Sequence, residues 1–131
     1  MKMTRATFAV SLATLVAGPT AALASVQDDK RKFIAQCDES ISIERLAGAP
    51  YKFVGKKVDL HGIVGPATDP DYINLNSPSG DGTFVIVLAD SRRLEQNQRI
   101  RVLGTVQKPV SGQNNVGGAG TYAVVRKAFL E

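Results

Sequence analysis

The sequence predicts an all-β fold, a closed five-stranded Greek-key barrel preceded by a short N-terminal helical segment. One of the two observations behind this is an internal echo: KVDLHGIVGP from Lys57 and RIRVLGTVQKP from Arg99 begin 42 residues apart and nearly copy each other. Each has a basic residue, apolar residues two apart (Val58 and Leu60; Ile100 and Val102), a glycine (Gly62; Gly104) and a further apolar residue (Val64; Val106). A period of two is that of a strand. Glycine at the inward phase removes a side chain where the strand bends or where another backbone comes close, as at the corners of small closed sheets. The other observation is the order of elements between and after the two copies: a hairpin, a short connector and a closing strand.

The chain opens with an address. Lys2 and Arg5 precede the apolar, uncharged run Ala6 to Ala17, which Gly18 and Pro19 close, and Ala22 and Ala24 supply the small residues that an export peptidase needs. Residues 1–24 therefore read as a cleavable secretory signal, and the protein as periplasmic or secreted. The run is broken short of the ~20 apolar residues of a membrane span, so no span is expected. Cys37 follows Gln36, beyond the charged DDKRK segment, which does not suit lipid anchoring. Cleavage after Ala24 leaves 107 residues, one small domain.

Residues 25–40 read as an N-terminal helical segment, a polar start followed by an apolar patch at Phe33, Ile34 and Ala35, and residues 41–131 read as the barrel domain. Cys37 in that patch reads as a structural thiol, with Asp38 and Glu39 raising its pKa. Ser42 suits the cap of a helical turn through Ile43 to Ala47 that Gly48 and Pro50 end. The first strand follows, with Gly62 as its bend. After the loop PATDPD, Tyr72 to Asn76 alternates with Ile73 and Leu75 on one face. SPSGDG makes a hairpin loop. Thr83 to Ala89 is apolar at every position from Phe84, which means that both of its faces are covered. Ser91 to Gln98 is a polar connector with room for one helical turn. Arg99 to Gln107 is the fourth strand, Pro109 to Gly120 a long glycine and asparagine loop, and Thr121 to Leu130 the fifth strand. This is the element order of the OB-fold. Since a barrel has one interior, either the row Phe84, Ile86, Leu88 or the row Val85, Val87, Ala89 must meet something outside, and the N-terminal segment is the expected cover.

The run YKFVGKKVDLHGIVGP, a short strand, a hairpin and then RIRVLGTVQKP resemble exported bacterial OB-fold proteins and the OB nucleic-acid-binding domains of the tRNA anticodon-binding type, over about Ile41 to Glu131. The resemblance implies a binding module, with nucleic acid among its ligands, in the cell envelope.

Charge and chemistry narrow the function. Of 16 Lys and Arg, Lys2 and Arg5 leave with the signal, so 14 stand against 12 acidic residues, a net of +2 that falls short of a strongly basic phosphate-tracking surface. The candidate binding strands offer Tyr72 and Phe84, while an OB-fold that holds a single strand stacks several bases at about 1–3 kcal/mol each. His61 shares a face with Asp59, but no serine or cysteine is placed by motif to complete a catalytic set. Asp69, Asp71, Asn74, Asn76 and Asp81 offer oxygen ligands whose spacing matches no calcium loop, and tight-turn residues with Pro70 explain Asp69 and Asp71. No enzyme, cofactor or metal is expected. The candidate ligand surface is Tyr72, Asn74 and Asn76 on the second strand, Lys108, Gln113, Asn114 and Asn115 in the fourth-to-fifth loop, and Tyr122. The reading is a small exported, non-enzymatic OB-fold binding protein whose partner is an envelope protein, glycan or peptide; the alternative is a binder of single-stranded nucleic acid.

Overall fold

A computed structural model describes residues 25–66, 68–113 and 119–131. The chain divides into two compact units, Met1–Ala35 and Gln36–Glu131. The proposed signal at residues 1–24 lies outside the described residues. Helix α1 covers residues 25–36. No described helix is long and apolar enough to cross a membrane.

The second unit is the expected OB barrel. Helix α2 (Ile43–Gly48) is capped by Ser42, whose hydroxyl accepts from Arg45 N at 3.1 Å. It buries Ile43 and Leu46 against the barrel. Strands β1 (Lys57–Val64), β2 (Tyr72–Asn76), β3 (Phe84–Leu88), β4 (Arg99–Gln113) and β5 (Ala119–Leu130) close in the order β1-β2-β3-β5-β4. β3 and β5 pair in parallel, the other neighbours antiparallel. The two echoed segments are partners: Val58 faces Gly104, Leu60 faces Val102 and Gly62 faces Ile100. Their inward phases fill the core as predicted, with Val58, Leu60, Val64, Ile100, Val102 and Val106 all buried. Both glycines stand where no side chain fits. A Cβ on Gly104 would lie 2.5 Å from Arg126 O, and one on Gly62 2.7 Å from Leu75 Cγ.

Two expectations are corrected. The long loop at 109–120 is mostly strand: β4 runs to Gln113 and β5 starts at Ala119, with Val110 opposite Tyr122 and Gly112 opposite Gly120. Small polar residues look like a loop, yet here they pair along a hairpin arm. Pro109 sits where the register shifts between Gln107 and Val110, so its missing N–H costs no regular ladder bond. The connector at 91–98 forms turns and no helix, with Asn97 at φ 71°. Residues 36–38 of the second unit lead toward the start of β1, where Asp38 N donates to Lys57 O at 2.9 Å. The Cys37 thiol is pushed up, first by burial and then by Asp59 rather than by its chain neighbours alone.

Candidate functional site

Because β5 inserts between β3 and β4, residues far apart in sequence share rungs on one outer face of the barrel. Asn74 faces Ile86, Ile86 faces Val124 and Val124 faces Gln107. One rung along, Tyr72 faces Leu88, Leu88 faces Arg126 and Arg126 faces Thr105. In the other direction Asn76 faces Phe84, and Tyr122 faces Val110. The Phe84 and Tyr122 rings stack, with centroids 5.5 Å apart and planes at 24°. β3 is thus apolar on both faces for two reasons: Val85 and Val87 fill the core, while Phe84, Ile86 and Leu88 are half-buried on this outer face.

The curl of the β4–β5 arm turns the face into a groove of about 540 Å³, with Tyr72, Ile86, Leu88, Val110 and Val124 as apolar walls and Gln107 and Lys108 as polar handles. A volume of several hundred Å³ with few polar groups is that of a ligand site. Lys108 is exposed on it and Arg126 is exposed opposite Leu88 at its margin, and neither forms an ion pair among the described residues.

Of the residues singled out from sequence, Tyr72 and Lys108 line the groove and Tyr122 joins the stack beside it. Asn74 and Asn76 are half-buried on the same face next to Gly65, where a Cβ would come within 3.2 Å of Asn74 Cβ and 3.3 Å of Asn76 Nδ2. The backbone of Gln113 belongs to β4; its side chain, Asn114 and Asn115 lie outside the described residues. Sequence reasoning missed Ile86, Leu88, Gln107, Val110 and Val124 as groove residues. The available signal was the doubly apolar β3, whose second row needed a use.

The β1–β4 seam presents a different surface. Arg101 donates to Asp59 through Nε at 2.9 Å and Nη2 at 2.7 Å, and to Glu131 through Nη1 at 3.0 Å. These bonds hold the Asp59 carboxyl below its ordinary range against the opposing effect of burial, and Arg101 above its own. His61 is 69% exposed, with Nε2 3.4 Å from Asp59 Oδ1. The carboxylate that could orient this imidazole is engaged bidentately by Arg101. Asp69 and Asp81 accept from Asp71 N and Thr83 N at 2.8 and 2.9 Å, the local turn bonds expected of them. Among the described residues no three His, Cys, Asp or Glu cluster as metal ligands would.

No family model and no curated protein matches the chain. Among solved structures it is similar to the telomere capping protein Ten1 from Saccharomyces pombe, at TM-score 0.45 and 12% identity over 70% of this chain and 76% of that one. It is also similar to the mitochondrial single-stranded DNA binding protein Rim1 from S. cerevisiae, at TM-score 0.37 and 13% identity over 59% of this chain and 91% of that one.

Proposed function

We propose that the barrel is a non-enzymatic binding module and that its ligand is a single-stranded nucleic acid laid across the outer face of β2, β3 and β5. The observation that carries this is the Phe84–Tyr122 stack on the same outer face as the groove, next to its wall residues Ile86, Val110 and Val124, with Tyr72 farther along the face. From sequence alone, Tyr72 and Phe84 were too few aromatics for the task. The parallel β3–β5 pairing adds Tyr122 to the same platform, and Lys108 and Arg126 supply cations beside it. Bases stack on aromatic faces irrespective of sequence, at about 1–3 kcal/mol each, and cations beside them hold the phosphates. No side chain of this face is called on to transfer a proton or hold a metal.

The test is fluorescence anisotropy of residues 25–131 with a labelled oligothymidylate of about six nucleotides. We expect binding that weakens with salt at a log–log slope of about −1.4, two phosphate contacts at about −0.7 each on a single strand. Tyr122→Leu should weaken it by about tenfold at unchanged salt slope, since one stacked base is lost. No binding at low salt would overturn the proposal.

A second reading, an envelope peptide or glycan, is favoured by one feature: the groove wall is mainly apolar, and its neutral amide Gln107 suits an uncharged ligand. It predicts affinity that is insensitive to salt. The site of action we propose is outside the cytoplasm, supported by the signal-like residues 1–24, and the mass of the exported protein should place its new terminus at Ser25.

A further inference from the structure

Four large apolar side chains are exposed among the described residues: Val26, Tyr51, Val54 and Val110. Val110 lies on the groove arm, while Tyr51 and Val54, 69% and 44% exposed, belong to the turns between α2 and β1. Those turns are fastened to β4 just before the groove begins: Gly55 N donates to Val106 O at 2.8 Å and Val106 N to Lys56 O at 2.9 Å. Gln107 and Lys108, the next residues of β4, are the polar handles of the groove. Phe53, 6% exposed, anchors the turn in the core, so its neighbours Lys52 and Val54 are presented to solvent on a fixed support. Lys52 sits over the Phe53 ring, its Nζ 5.6 Å from the centroid. Neither Lys52 nor Lys56 forms an ion pair among the described residues.

We infer that the ligand strand continues from the groove past Lys108 onto this turn, where Tyr51 stacks a further base and Lys52 and Lys56 meet phosphates. The inference rests on the nucleic-acid reading of the groove. An exposed tyrosine with a valine and two cations, on a turn hydrogen-bonded to β4 one residue before the groove's Gln107 and Lys108, has the composition of a stacking platform. The uncharged peptide or glycan of the second reading gains little from the lysines. Tyr51 is then a positioning and affinity residue for long ligands, outside the reach of short ones.

Two oligothymidylates separate this subsite from the groove, one of about six nucleotides and one of about fifteen, within the span an OB-fold covers. The longer one should bind more tightly and with a steeper salt slope, near −2.8 if about two further phosphates are met. Tyr51→Ala should lower the affinity for the longer oligonucleotide by roughly tenfold and leave the shorter one unchanged, and Lys52→Ala with Lys56→Ala should return the salt slope of the longer one to that of the shorter. Circular dichroism and melting should not change, since these side chains are solvent-facing. Equal effects of Tyr51→Ala on both lengths, or none on either, would overturn the subsite while the groove reading stands. If the unsubstituted protein binds neither oligonucleotide, the groove reading fails and the subsite with it.

Discussion

The outer surface of the barrel is built in two ways. Along the β1–β4 seam, polar groups are turned on one another: Arg101 holds Asp59 in a fork and reaches Glu131 as well, and the backbones of Arg101 and Glu131 exchange both their N–H···O bonds. Across β2, β3 and β5 the outer residues are aromatic, apolar or neutral amides, with Lys108 and Arg126 at the margin in no ion pair among the described residues, and the groove between them is open. Protein–protein bonds satisfied within the seam leave little to offer a ligand. The other face keeps stacking surface and charge available, and a ligand there displaces only water. Closure and the proposed binding thus fall on different parts of one small sheet, and substitutions on the two should have opposite signatures.

The largest expected effect is on closure. Leu60 is 1% exposed and faces Val102 across the seam, so Leu60→Asp places an unpaired carboxylate in the core and should cost more than about 4 kcal/mol. Thermal melting should show no folded protein, and a melting temperature like that of the parent would mean that the register is wrong. Gly104→Ala comes next. Its Cβ would meet Arg126 O at 2.5 Å and Val125 Cγ1 at 2.6 Å, and backbone cannot swing aside as a side chain can. The expected cost is about 1–3 kcal/mol, while Gly112→Ala, in the hairpin arm with nothing within 4 Å, should change stability by less than about 0.5 kcal/mol. Urea unfolding of the pair checks the contrast; equal losses would show that the arm is as tightly packed as the seam.

Arg101→Gln should have a smaller effect, and one that depends on pH. The Asp59 carboxyl is held below its ordinary value by the Arg101 hydrogen bonds. A depressed carboxylate pKa contributes stability that is present above the unfolded value, about 3.9, and is lost as pH falls through the folded value. With Asp59 12% exposed, the variant should be less stable by about 1–3 kcal/mol at pH 7, and the gap should narrow on acidification below about pH 4. A gap that stays constant from pH 7 to pH 2 would mean that the guanidinium acts by packing rather than by charge.

The seam was legible in the sequence because a strand writes its inward phase directly, and a glycine in that phase marks the place where another chain segment presses in. Val58, Leu60, Ile100 and Val102 needed no knowledge of topology. The proposed binding face was half legible. Tyr72 and Lys108 could be named from the usual position of an OB ligand, but Phe84 and Tyr122 meet only because β5 pairs in parallel with β3, and such a crossover leaves no mark on either strand. The hairpin arm was missed for a related reason: Ser111, Gly112, Gly120 and Thr121 have weak strand character and are held in strands by pairing with each other.

On the open face the signature reverses. Tyr122→Leu removes one ring of a half-buried stack, a contact of about 0.5–1.5 kcal/mol, while leaving apolar volume in place, so the melting point should fall only slightly although affinity for a short single strand falls by about tenfold. Coupled losses of fold and affinity would show that the Phe84–Tyr122 pair is part of the barrel's packing and not a platform.

The smallest structural effect belongs to Lys108→Ala. Lys108 is exposed, forms no ion pair among the described residues and stands at the register shift of β4, where no regular ladder depends on it. Stability should change by less than about 0.5 kcal/mol. Its effect on binding has a form that other losses lack. A stacking residue weakens binding equally at every salt concentration, because it displaces no counterion, whereas a lysine on a phosphate removes one released ion, so the log–log salt slope should flatten by about 0.7. Affinities of the parent and Lys108→Ala, measured with the short oligothymidylate across a range of salt, should therefore converge as salt rises. Parallel lines would assign Lys108 to the groove wall, where its methylene stem packs and its charge is idle, and would shift the open face toward the uncharged ligand of the second reading.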